Sequence, residues 1–174
     1  MVRSAASLIS AQGMSATSFA DVISDSGAPR GSIYHHFPNG KDQLAEDAIR
    51  WTSDRVLAHL RAGDATTPTD VLNRFIGLWR QVVVTSGGAS GCVVAGVAID
   101  SGAGGLIEVV RDAFRSWIDL LTEQLHDVGV PAVRARKVAV ATLAGMEGAL
   151  ILCRAEGGVG ALDVVAEQIR GLVR

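Results

Sequence analysis

The sequence RGSIYHHFPNGK, Arg30 to Lys41, places a guanidinium, a hydroxyl, a phenol, two imidazoles and an ammonium within one short stretch. Each of these groups has a counterpart on a nucleic-acid duplex. A guanidinium bonds guanine O6 and N7 bidentately, a hydroxyl donates or accepts, and tyrosine, histidine and lysine bond phosphate oxygens. Arg30, Gly31 and Ser32 are therefore candidates for base contact, with the glycine letting backbone come close to base edges. Tyr34, His35 and Lys41 are candidates for contact to the duplex backbone. On composition alone a solvated surface turn accounts for the same residues.

Such side chains need rigid elements to aim them, and the flanking sequence supplies two. Thr17 or Ser18 offers a side-chain oxygen as a helix cap, with Asp21 three residues after Ser18 to answer it. Phe19, Val22 and Ile23 then fall on one face, and Ser26-Gly27 predicts the helix end. Ala28-Pro29 opens a second helix, proline being tolerated where no N–H partner exists. Of the residues from Arg30 to His36 only Ile33 is a plain hydrophobe, so Ile33 with Phe37 must hold this second helix against Phe19 and Val22. The pattern reads as a helix-turn-helix.

The string GAPRGSIYHHFPNGKDQL, residues 27–44, closely resembles the recognition helix and following turn of the TetR family of bacterial transcriptional regulators, in particular its LmrA/YxaF-like branch. GCVVAGVAID, Gly91 to Asp100, resembles the helix 6 region of that branch. The resemblance implies an all-α protein with a three-helix DNA-binding head over residues 1–40 and a ligand-binding and dimerisation body over residues 41–174. It also implies a cytoplasmic homodimer that binds a near-palindromic operator on double-stranded DNA. Such a dimer usually acts as a repressor and is released by a small lipophilic or aromatic effector. Carried over by position, it assigns Thr17, Arg30, Ser32, Tyr34, His35 and Lys41 to DNA contact and Gly31 to close approach. Two residues depart from the family pattern. Pro29 stands where many members have a phosphate-touching serine, and Ile23 stands near the helix crossing where a small residue is usual.

The 174 residues carry a formal net charge of -2, which argues against a protein that coats nucleic acid through a broad basic surface but leaves sequence-specific binding open. Cys92 and Cys153 are widely separated, with no metal-ligand spacing, and read as reduced thiols. Met1-Val2-Arg3 leads into a polar-interrupted helix rather than a secretion signal. The most apolar run, Val138 to Cys153, is interrupted by Glu147 and reads as too short to span a bilayer. His126 with Asp127, Cys92 near Asp100, and Glu147 are isolated titratable groups that form no nucleophile-base set or metal site. The chain is expected to be no enzyme and to need no cofactor.

The remaining sequence predicts helices over residues 1–12, 41–61, 69–85, 91–100, 106–127 and 131–155, and a last amphipathic one after Gly160. VVAGVAI has strand composition, but no partner strand exists elsewhere, so helix is favoured. Trp51, Phe75, Trp79, Phe114 and Trp117 dominate the aromatic content. In the family's arrangement their helices surround one cavity, with Cys92, Arg80, Gln81, Thr122 or Glu147 as polar contacts. Interior Gly145 and Gly148 signal close helix approach, each costing about 1 kcal/mol relative to alanine. By the resemblance, the last two helices form a four-helix bundle with those of a second subunit. Thr142, Gly145, Met146, Ala149, Leu162, Val165 and Ile169 are the expected interface residues. The alternative function is a helical small-molecule-binding or interaction protein that does not use its head.

Overall fold

The computed structural model describes residues 1–100 and 104–174. Among the described residues all regular structure is helical: α1 (Val2–Gln12), α2 (Phe19–Ser26), α3 (Ser32–His36), α4 (Gly40–Arg61), α5 (Pro68–Ser86), α6 (Val93–Asp100), α7 (Leu106–Asp127), α8 (Ala132–Glu156) and α9 (Gly160–Gly171). The strand-like VVAGVAI is helical, as unpaired backbone requires. Residues 101–103, the start of the expected glycine-rich break after it, lie outside the described residues.

Local chemistry explains most of the ends. Ser18 caps α2 and makes a reciprocal box with Asp21, and Gly27 ends that helix in the left-handed region at φ 67. Thr67 and Asp70 form the same box on α5, with Pro68 inside its first turn rather than in the preceding loop. In both boxes the carboxyl pKa lies below its ordinary value. The hydroxyl of Ser18 is the main cause for Asp21, and that of Thr67 for Asp70.

The chain condenses into two compact units. One comprises Met1–Arg55 with Cys92–Phe114, the other Val56–Gly91 with Arg115–Arg174. The head expected over residues 1–40 is thus part of a larger unit, and the chain passes between units within α4, between α5 and α6, and within α7. In the first unit Ala5, Ile9, Val22, Ile33, Leu44, Ala45, Ala48, Ile49, Val94 and Val97 are fully or nearly fully buried. Here α1 packs on α2 and on α6.

In the second unit α8 packs on α9 and α5, and α5 also meets α9. Phe75 stacks on Trp79 with ring centroids 4.4 Å apart, and Trp79 meets Trp117 edge-to-face at 5.9 Å. A Cβ added at Gly145 would come within 3.1 Å of Val165 and 3.3 Å of Ile169, so Gly145 is where α8 and α9 approach closely. Gly148 has no such neighbour. At 25 residues α8 is, by length and composition, long and apolar enough to cross a membrane, because the helix runs beyond the apolar run at both ends. One of its sides is buried under α5 and α9.

Two outcomes follow. Trp117→Ala removes a wholly buried side chain and should cost about 3–5 kcal/mol, read as a lower urea midpoint. The pH dependence follows from the boxes, since folding depresses the pKa of Asp21 and Asp70. Their contribution is complete above the unfolded value near 3.8 and is lost as pH falls through the depressed folded values. Thermal melts below pH 4 should therefore lose stability more steeply in the wild type than in Asp21→Asn or Asp70→Asn.

Candidate nucleic-acid interface

A five-residue helix has too few internal hydrogen bonds to persist alone, so α3 depends on what lies beneath it. Ile33 is wholly buried and Phe37 nearly so, and Val22 of α2 is wholly buried too. Above them Tyr34 meets the half-buried Phe19 edge-to-face at 5.7 Å while remaining 68% exposed. Gln43 pins the following turn. Its Nε2 donates to the His36 carbonyl at 3.2 Å, and its Oε1 accepts from the Asn39 N–H at 3.1 Å.

The start of α3 differs from the sequence expectation. Ser32 donates both its N–H and its hydroxyl to the Pro29 carbonyl, at 2.9 and 2.6 Å, closing a turn over residues 29–32 before the helix begins. Arg30 and Gly31 therefore sit in this turn rather than inside the helix. Arg30, Gly31, Tyr34, His35 and His36 are all exposed, and Ser32 is half-buried. A Cβ at Gly31 would meet nothing within 4 Å. No contact inside the chain calls for glycine at that position, which leaves open space for an approaching partner.

Two of the expected DNA contacts are placed differently. Thr17 is 3% exposed, its hydroxyl donating to the Gly13 carbonyl at 2.8 Å and accepting from Gln12 Nε2 at 3.4 Å. A hydroxyl so enclosed has no surface for phosphate, and exposed Ser18 occupies the cap position instead. Lys41 is half-buried, and its ammonium donates to the Ser15 carbonyl at 3.1 Å. Its charge also acts on Asp21 and Asp100.

Asp100, at the end of α6, reads in the sequence only as an isolated titratable group near Cys92, and its contact with the head is what sequence reasoning missed. One of its oxygens accepts from the Ser15 N–H at 2.6 Å. Its pKa is lowered chiefly by that backbone bond, then by the Ser15 hydroxyl, the Met14 N–H and the charge of Lys41. Ser15 and Asp100 lie 85 residues apart, so no local pattern joins them. A weak signal exists at Gly13, which adopts φ 85 and where a Cβ would fall 2.8 Å from the Asp100 carboxylate.

The expected ligand-cavity residues divide between the two units. Trp51, Cys92 and Phe114 belong to the first, where Trp51 is half-buried with the Arg55 guanidinium 4.9 Å from its ring. Phe75, Trp79, Trp117 and Glu147 belong to the second, and the three aromatic residues there pack on one another. Arg80 pairs with Asp163, Gln81 is exposed, and the Thr122 hydroxyl bonds the Ile118 carbonyl of its own helix. Cys153 is buried and Cys92 half-buried, both as thiols. Among the described residues no group of His, Cys, Asp and Glu is arranged to hold a metal.

The expected interface residues also need correction. Thr142, Met146, Ala149, Leu162 and Ile169 are at most 4% exposed within one chain, where α8 packs on both α9 and α5, and Gly145 faces Val165 and Ile169 of the same chain. The five buried residues have almost no surface left for a second subunit, whereas Gly145 and Val165 are half-buried. The outward side of α8 carries Val133, Val140, Ala141, Ala144, Ile151 and Leu152 instead, and that of α9 carries Val164 and Leu172.

Comparison with known proteins agrees with this arrangement. Residues 2–48 match the model of bacterial regulatory proteins of the tetR family, and residues 68–168 match that of the C-terminal domain of LmrA/YxaF-like transcriptional regulators. The chain is 34% identical to the HTH-type transcriptional regulator Rv0196 of Mycobacterium tuberculosis, covering 99% of this chain and 92% of that protein. It is 28% identical to the HTH-type transcriptional regulator YxaF of Bacillus subtilis, covering 100% of this chain and 93% of YxaF. A TetR transcriptional regulator from Legionella pneumophila has the same fold, with a TM-score of 0.89 at 22% identity over 99% of this chain and 95% of that one. A second from Chloroflexus aurantiacus gives 0.80 at 26% identity over 98% and 90%. With a helix-turn-helix at its N-terminus and an LmrA/YxaF-like C-terminal domain, the chain belongs to the TetR family of bacterial transcriptional regulators.

Proposed function

We propose that this regulator binds operator DNA through the turn and helix from Arg30 to His36. In this reading it acts in the cytoplasm as a homodimeric repressor, released when a small lipophilic or aromatic molecule occupies its body. The observation that carries the reading is the two-sided character of α3 and the turn before it. Ile33 is wholly buried below, while Arg30, Gly31, Tyr34, His35 and His36 are exposed above. A guanidinium beside an unobstructed glycine suits base edges, and a phenol and imidazoles suit phosphates. Net charge -2 supplies little nonspecific attraction, so affinity rests on these few groups.

A dimer is supported by the outward apolar side of α8. Val133, Ile151 and Leu152 are 74, 62 and 48% exposed, an arrangement that a single chain leaves in water. Apposing the same face of two copies about a two-fold axis covers it and gives two heads, as a near-palindromic site requires. The effector reading rests on the apolar, aromatic-bearing second unit and on what is typical of the family. A ligand releases the operator only if it binds the DNA-free conformation more tightly.

Two experiments test these points. Arg30→Ala should weaken retardation of the chain's own upstream DNA by about 1–3 kcal/mol and relax preference at one base pair per half-site. Equal loss on random and specific duplexes would show that Arg30 reads no base. Wild-type protein that retards no DNA would favour a helical ligand-binding protein with an unused head. For the dimer, Ile151→Glu or Ala144→Glu should yield monomers in sedimentation and lose full-site binding together. Monomers retaining wild-type affinity for the full site would sever assembly from function.

A further inference from the structure

We propose that Asp100 is a positioning residue for DNA contact, holding the turn between α1 and α2 through the Ser15 N–H and thereby placing the Lys41 ammonium for a phosphate. The inference rests on the DNA-binding reading above and concerns residues of the first unit only.

Ser15 is held at both ends. Its N–H donates to Asp100 at 2.6 Å, and its carbonyl accepts from Lys41 at 3.1 Å. The turn is shaped to take the carboxylate. Gly13 adopts φ 85 and leaves room that a Cβ, 2.8 Å from the Asp100 oxygen, would fill. The Met14 N–H and the Ser15 hydroxyl face the same carboxylate. Next to this turn Thr17 is locked to Gly13, and Ser18 begins α2. The Lys41 ammonium therefore has its direction set by a carbonyl whose own position depends on α6. Without the Asp100 bond the Ser15 N–H has no other partner among the described residues, and the acceptor that orients Lys41 loses its anchor. Asp21 also lies within reach of the Lys41 charge, but it is occupied by the Ser18 N–H and hydroxyl in the capping box of α2.

The sign of the effect separates positioning from plain electrostatics. Deleting a carboxylate beside a phosphate-binding ammonium should strengthen DNA binding if charge alone matters, because a repulsive group is removed. Positioning predicts the reverse. One lost phosphate contact lowers the slope of log affinity against log salt by about 0.9 for each protomer bound.

The test measures that slope for wild type, Asp100→Ala, Asp100→Asn, Lys41→Ala and the double variant Asp100→Ala with Lys41→Ala. Specific and random duplexes are both used, with thermal melts to confirm folding. Asp100→Ala should lose about one phosphate contact per protomer on both duplexes, with base preference unchanged. It should add nothing in the Lys41→Ala background, and Asp100→Asn, whose amide oxygen still accepts from Ser15, should keep the wild-type slope. In the free protein, hydrogen exchange at the Ser15 amide should speed up in Asp100→Ala and not in Asp100→Asn. Tighter binding by Asp100→Ala, additive losses in the double variant, or unchanged Ser15 exchange in Asp100→Ala would overturn the proposal while leaving the DNA-binding reading intact. Wild-type protein that shows no salt-dependent duplex binding would overturn that reading, and this inference with it.

Discussion

The burial of Ile33 is the constraint on which the proposed interface depends. A helix as short as α3 closes too few internal hydrogen bonds to offset its own ordering. Its existence comes from Ile33 and Phe37 packed below, from Gln43 joining the His36 carbonyl to the Asn39 N–H, and from the Pro29 turn that precedes it. Because tertiary contacts hold the helix from one side, the other side is free to carry residues that the core does not require. Tyr34, His35 and His36 fill that side, and their polarity would be costly anywhere in the core.

The same economy governs charge. The first unit has few cations in its N-terminal part, and Lys41 is engaged with the Ser15 carbonyl while two carboxylates lie within its electrostatic reach. An ammonium in that setting is less a mobile surface charge than a group with a set direction, which matters when only a few phosphates are contacted. Arg30 differs, exposed in a turn beside a glycine with open space around it. In the proposed interface, positioning and reading therefore fall to different side chains, one braced by the fold and one left accessible.

Local structure was legible in the sequence wherever its cause was local. The Ser18–Asp21 box, the left-handed Gly27, the helices that become α4 and α7, and the helical VVAGVAI all follow from neighbouring residues or from backbone pairing. Failures arose where a distant partner decided. Thr17 and Ser18 are equivalent as caps on paper, and the choice between them was made by Gly13 and Gln12, which enclose the Thr17 hydroxyl. Pro29 looked like a first helical residue, yet its carbonyl closes a turn that delays α3. Asp100 had no pattern at all, since its partner is 85 residues away.

The assignment of sides on α8 shows a further limit of periodicity. This helix has apolar residues almost all round, so its sequence marks it as central without saying which side meets which neighbour. Gly145 signalled close helix approach, and the resemblance placed that approach between subunits. The close approach exists, but to Val165 and Ile169 of the same chain. Once α9 and α5 have covered that side, the apolar remainder, from Val133 to Leu152, is left facing water. A chain that places β-branched and leucine side chains there incurs a solvation cost in isolation, and the cost disappears if an identical face covers it. The dimer is therefore argued more strongly by what α8 leaves exposed than by the small residues it hides.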